Sequence, residues 1–210
     1  MFKKITYCIV IVFLLFSCIK KDDFNISRSS TFTPSYSLPV GAFKFDINKE
    51  LDNYKEAQQI LSDSILYNDT LINVPDVIEG IKEYNFSLNN ITQDFSNINN
   101  LTIRLIFYNG YPTDIYMETV FTDDRNNEIH RIPLPDNIKG ADKNKEEYKK
   151  SKPMDFEIPE NKIDLMGNVK RIFLIYKIYT QNVDQDFVRF YNEYNIKMQI
   201  GVRVQLEITP

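Results

Sequence analysis

The chain has 210 residues, 43% hydrophobic, 13% aromatic and 26% charged, with 6 Gly and 9 Pro. That is globular composition of roughly one-domain size; it excludes disorder throughout, a collagen-like or linker-like chain and, with no recurring unit of roughly 20–50 residues, a solenoid. The formal charge of −4 becomes −6 once Lys3 and Lys4 are set aside, and an acidic surface repels phosphate backbones, so no nucleic acid is expected as partner.

Met1-Phe2-Lys3-Lys4 is a short basic start, and the twelve residues from Ile5 to Phe16 are largely apolar. As a helix that run reaches about 18 Å, against a bilayer core of roughly 30 Å. Residues 1–17 therefore read as a signal peptide. Leu15-Phe16-Ser17-Cys18 resembles the lipobox of bacterial lipoproteins: a Leu, a free position, a small residue, then Cys. The resemblance implies cleavage before Cys18, a diacylglyceryl thioether on its sulfur and a further acyl chain on the new N-terminus, with outer-membrane lipid as the partner. Three chains exceed the two signals that stable anchoring requires. Cys8 and Cys18 are the chain's two cysteines. Losing one with the leader and lipidating the other leaves a thiol-free body, which excludes disulfides, thiolate metal sites and cysteine nucleophiles from it.

Lys20, Lys21, Asp22 and Asp23 follow almost at once. Lys followed by paired acids just after a lipidated Cys resembles the export signal of surface-exposed lipoproteins of Bacteroidota, and implies a position on the cell surface. The richness in Asn, Ile, Lys, Tyr and Phe, with no Trp, agrees. Residues 18–33 are polar with scattered Ile19, Phe24, Ile26 and Phe32, and read as a flexible tether.

From residue 34 the pattern changes to that of a folded body extending to residue 210, with residues 34–80 a candidate separate lobe. Phe43, Phe45 and Ile47 alternate with Lys44 and Asp46 as a half-buried strand. Leu51, Tyr54, Gln58 and Leu61 share one helical face, predicting a short helix within residues 48–62. Residues 64–67 and 70–74 form a hairpin around Asn68-Asp69. Tyr84, Phe86 and Leu88 share a strand face, as do Leu101, Ile103, Leu105 and Phe107, whose run ends at Asn109-Gly110-Tyr111-Pro112, a turn with positive-φ chemistry. Ile115, Met117, Thr119 and Phe121 pair across Asp123-Asp124-Arg125-Asn126-Asn127-Glu128 with residues 129–132. Residues 139–152, with Asp142, Lys143, Lys145, Glu146, Glu147, Lys149 and Lys150, read as a solvated insertion. Residues 172–179 are apolar on both faces, which places them mid-sheet. Residues 194–208 alternate throughout; at about 3.3 Å per residue they would span roughly 50 Å, so a bulge or kink is expected, best at Gly201. The sum is a mainly β, immunoglobulin-like sandwich with a short helix near the N-terminal part.

Ser37-Leu38-Pro39-Val40-Gly41, residues 101–112 and residues 194–208 together look like lipoproteins common in gut and oral Bacteroidota that have a β-sandwich body and no assigned activity. The resemblance implies a fold and an address, without a site. Asp63-Ser64-Ile65 and Asp69-Thr70-Leu71 are similar to the O-glycosylation acceptor pattern of that phylum.

Candidate chemistry is thin. His130, the sole histidine, stands without the further ligands or the matched nucleophile that a metal site or triad needs. The oxygens of Asp123, Asp124, Asn126, Asn127 and Glu128 lack the spacing of a Ca²⁺ loop. Asp184, Asp186 and Glu193 could be imagined as glycosidase carboxylates, but sequence sets no carboxyl separation. Tyr108, Tyr111, Tyr116, Tyr179, Tyr191 and Tyr194 offer apolar bodies with polar tips for glycan stacking. No catalytic residue, metal or cofactor is assigned. The expectation is a non-catalytic, lipid-anchored surface lipoprotein that binds or assembles with an unidentified protein or glycan at the outer membrane, through loop-borne surfaces; the alternative is a glycan-binding accessory lipoprotein of a carbohydrate-uptake system.

Overall fold

Side chains on a strand alternate between two faces, so a chain with this many alternating runs must cover one face of each, and stacking two sheets does so. The computed structural model describes residues 34–57, 61, 63–88, 95, 97–181 and 188–206; the expected leader, Cys18, the Lys20–Asp23 signal and the tether lie outside them. Residues Ser35–Leu206 belong to one unit.

Among the described residues the first sheet runs β1 (Ser35–Phe45), β12 (Ile196–Leu206) and β5 (Ile98–Asn109), with β8 (Lys149–Lys150) and β9 (Met154–Glu157) pairing along the far side of β5. The second runs β4 (Val77–Asn85), β10 (Arg171–Tyr179), β6 (Ile115–Thr122) and β7 (Glu128–Pro133). Pairings in both are antiparallel. The sheets face each other: the Phe43 and Tyr84 rings lie 4.7 Å apart, Phe45 and Tyr176 5.1 Å, and Thr119 Oγ1 lies 3.9 Å from Met198 Sδ. The fold is thus mainly β and sandwich-like, with the short helix α1 (Asn48–Ala57) near its N-terminal part. Strand β10 is interior, as its two apolar faces predicted, and carries the buried row Ile172, Leu174, Tyr176 and Ile178 into the core.

A third, small sheet holds the expected hairpin, β2 (Asp63–Tyr67) and β3 (Thr70–Val74), with β11 (Arg189–Phe190) parallel to β2. Asn68 and Asp69 have φ of 48° and 60°, the left-handed pair of a type I′ turn that short polar side chains tolerate. Helix α1 lies against β3 through buried Leu51. Helix α2 (Glu160–Met166) buries Ile163 and Met166 and packs against both β5 and β7.

Four local expectations change. The strand placed at Tyr84, Phe86 and Leu88 is β4, which starts at Val77 and ends at Asn85; its inward positions include Gly80 and Lys82, which broke the apolar pattern. Strand β12 itself runs on through Gly201; the register shift at that point lies on its partner, between Pro39 and Gly41 of β1 opposite Gly201 and Ile200, where proline cannot donate to the ladder, and a second shift falls at Gln205/Leu206 against β5. No glycine has positive φ among the described residues. Gly110 serves close approach instead: a Cβ there would stand 2.4 Å from the Asn195 carbonyl oxygen. Finally, residues 139–152 are more than a solvated loop, because Lys149–Lys150 pair with β5 and Lys143 Nζ sits 4.0 Å from the Tyr194 ring centroid.

Candidate functional site

The solvent face of the first sheet carries a groove of about 640 Å³ over β1, β12, β5 and β9. Its floor follows the cross-strand row Pro39, Gly201, Arg104 and Asp155. Gly201 makes the hollow: around the position of a missing Cβ the nearest atoms are the Leu38 carbonyl oxygen at 3.6 Å and Arg104 Cβ at 3.7 Å. Leu38, Val40, Ala42 and Ile106 supply apolar walls, and Leu38 is 43% exposed. The remaining wall is charged. Arg104 donates two hydrogen bonds to Asp155, of 2.6 and 2.7 Å, and Arg203 approaches the same carboxylate at 3.6 Å. The Arg104 bond holds the Asp155 carboxyl below its usual range. Two guanidiniums sharing one carboxylate leave surplus positive charge beside the apolar walls. That combination can hold an extended apolar segment carrying an anionic group.

A second constellation lies inside. Glu50 of α1 accepts a hydrogen bond from the buried Tyr176 hydroxyl at 2.7 Å and another from Lys82 at 3.1 Å. Burial pushes the Glu50 carboxyl up, but these two donors outweigh it and hold the carboxyl below its ordinary value. Burial, then the Glu50 contact, push the Tyr176 phenol well above its ordinary value, so it donates as a neutral hydroxyl. The trio ties α1 to the second sheet. Sequence reading missed it, and Gly80 and Lys82 at inward strand positions were the available signal.

The sequence-predicted residues do not converge. Cys18, Lys20, Lys21, Asp22, Asp23, Asp184 and Asp186 lie outside the described residues, and Glu193 is exposed. His130 is half-buried on β7; burial first, and Lys162 next, keep its imidazole below its ordinary value. Asp123 spends its carboxylate within its own turn, accepting from the Arg125 and Asn127 backbone N–H groups at 2.9 and 2.8 Å and from the Asn127 amide at 2.8 Å. Among the described residues no three His, Cys, Asp or Glu side chains come together as a metal site. Ser64 donates to Asn73 at 2.9 Å, while Thr70 is exposed at the hairpin.

The tyrosines divide. Tyr111 is fully buried, with its hydroxyl accepting from Ile47 N–H and donating to the Tyr194 carbonyl, each at 3.1 Å. Tyr116 donates to Glu118 and Tyr191 to Asp69. Lysines lie over the rings of Tyr194, Tyr108 and Tyr148. Tyr179 ends β10.

No model of a known protein family matches the chain, and no curated protein matches it. Among solved structures it is similar to a Parabacteroides distasonis protein described as secreted, with 16% identity and a TM-score of 0.45 over 61% of this chain and 38% of that one. It is also similar to VP2 of infectious bursal disease virus, with 10% identity and a TM-score of 0.38 over 83% of this chain and 33% of that one. A third likeness is to the enzymatically active domain of bacteriophage CBA120 tailspike protein 4, with 11% identity and a TM-score of 0.27. The chain spans between about a fifth and two fifths of these structures' lengths.

Proposed function

We propose that the chain is a non-catalytic lipoprotein, anchored in the bacterial outer membrane by acyl chains on Cys18 and exposed on the cell surface, which binds a protein partner through the groove over β1, β12, β5 and β9. The carrying observation is the groove: a hollow opened by Gly201, walled by apolar side chains and edged by the Arg104–Asp155–Arg203 cluster. Its surplus positive charge stands out on a chain of net charge −4, and favours an extended partner segment with an acidic residue. The address is supported by Leu15-Phe16-Ser17-Cys18 and the Lys20–Asp23 run.

Two experiments test the two halves. Cys18→Ala should abolish metabolic acyl labelling and leave the precursor uncleaved; surviving label refutes the anchor. A photo-crosslinking residue at position 106 in the anchored protein should form an adduct on intact cells, and Gly201→Leu, which fills the hollow, should remove it. Absence of an adduct, or one indifferent to Gly201→Leu, refutes the groove as the binding surface.

A further inference from the structure

At one end of the sandwich, away from the groove's lining, lies a second hollow of about 550 Å³, formed where residues 76–77, 112–114, 137–139 and 179–181 come together. Its frame is held by backbone hydrogen bonds. The Asp76 carbonyl accepts from Thr180 N–H at 3.0 Å and from the Thr180 hydroxyl at 2.9 Å; Tyr179 N–H donates to the Asp114 carbonyl at 3.2 Å; Ile115 and Ile138 exchange both of theirs at 2.9 and 2.7 Å. Gly140 admits the close approach of Pro112, whose carbonyl oxygen would lie 2.3 Å from a Cβ. The hollow is therefore formed before any ligand arrives, which lowers the ordering cost of binding.

The lining charges decide what it can take. Asp76 and Asp114 both line it, which disfavours an anion. A cation would find Asp76 as its single uncommitted carboxylate and the Lys139 ammonium beside it, because Asp114 is already occupied on both oxygens: Lys139 lies 2.7 Å from Oδ2, and Gly140 N–H donates to Oδ1 at 3.1 Å. The other polar side chains of the lining that can pair with a ligand are the Asn137 and Gln181 amides and the Asp76 carboxylate. Thr113 is 2% exposed, and its Oγ1 has no hydrogen-bond partner within the protein. Beside these groups stands Tyr179. Lysines lie over the rings of Tyr108, Tyr148, Tyr176 and Tyr194, but none covers Tyr179 among the described residues.

We infer that this end hollow binds a neutral polyhydroxylated ligand, a saccharide of one or two units, whose hydroxyls pair with Asp76, Asn137 and Gln181 while a ring face packs on Tyr179. A sugar hydroxyl both donates and accepts, so it matches a carboxylate and two amides with no net charge to neutralise, and its C–H face matches a phenol ring. The volume suits a small ligand rather than a polymer chain. The inference is independent of the groove and of the lipid anchor.

The test uses the full chain in a detergent without a sugar headgroup, with cellobiose, maltose and N,N′-diacetylchitobiose as probes, read by saturation-transfer NMR and calorimetry. At least one disaccharide should bind with a millimolar Kd. Asn137→Ala and Gln181→Ala should each weaken it about tenfold, the loss of roughly one hydrogen bond. Tyr179→Phe should keep binding, whereas Tyr179→Ala should lose it, which separates stacking from a general loss of fold. Gly201→Leu should leave it unchanged, so a failure of the groove and a failure of the hollow are told apart. Silence from all three disaccharides, binding that survives Tyr179→Ala combined with Asn137→Ala, or displacement of the sugar by calcium chloride or sodium phosphate at equal concentration would each overturn the inference.

Discussion

Gly80→Ala puts the packing of Tyr176 to a direct test. A Cβ at residue 80 would stand 2.2 Å from the Tyr176 hydroxyl oxygen and 2.4 Å from Cζ. Tyr176 is fully buried, is packed against Phe45 at 5.1 Å between ring centroids, and donates to Glu50 at 2.7 Å, so a displaced ring gives up both contacts. Losing the bond to a charged acceptor costs about 1.5–3 kcal/mol, and forcing an extra carbon into a packed site about 1–3 kcal/mol. Removing a glycine from a strand returns about 0.5–1 kcal/mol. The net loss should be about 2–4 kcal/mol, a fall of roughly 4–16 °C in Tm for a domain of this size. Urea unfolding should show a lower midpoint at unchanged slope. In a Tyr176→Phe background the hydrogen bond is already gone, so the same substitution should cost at least about 1 kcal/mol less. A neutral or stabilising Gly80→Ala would refute the account of why this strand carries a glycine facing the core.

Other consequences follow from single contacts. Asn109 is fully buried, donating to the Thr113 and Lys139 carbonyls at 2.7 and 3.1 Å and accepting from Tyr111 N–H at 2.8 Å; Asn109→Ala orphans these groups and should cost about 2–4 kcal/mol in denaturant titration. The His130 imidazole is held below its ordinary value by burial and by Lys162. The unfolded chain therefore binds that proton more readily, and this contribution to stability should be lost as pH falls from about 6.5 through the folded pKa. An NMR titration giving His130 a pKa at or above the ordinary value, or a His130→Gln chain with the same pH dependence, would contradict this. Gly201→Val places a β-branched residue on a strand with its Cβ in ordinary contact with the Leu38 carbonyl oxygen at 3.6 Å and Arg104 Cβ at 3.7 Å, and should stabilise by up to about 1 kcal/mol; a lowered Tm would show that the branched side chain clashes with these neighbours.

Much of the architecture was legible because alternation is a local property. Strand β12 reads apolar at Ile196, Met198, Ile200, Val202 and Val204, and these are the residues buried in the core. The two apolar faces of β10 likewise announced an interior strand. Strand β4 was misread because its inward face is completed by other elements: Tyr176 fills the space over Gly80, and Glu50 pairs with Lys82. A period-2 reading sees only the strand's own side chains.

The hollows were illegible for the same reason. The groove depends on Gly201 lying beside Pro39 of β1 and Arg104 of β5, and the end hollow on four segments spread from residue 76 to residue 181. Nothing in the spacing of those residues relates them. The tyrosines show the difference most plainly: sequence offered six as equivalent platforms, and packing buried Tyr111, placed lysines over Tyr108 and Tyr194, and left Tyr179 lining a hollow. Local order along the chain was enough to specify strands, a hairpin with its left-handed turn and the thiol-free character of the body, because each follows from neighbouring residues or simple counting. Which strands became neighbours, where a missing side chain opened a cavity and which charges met across it were decided in three dimensions, by pairings between residues as far apart as Ser35 and Gln205.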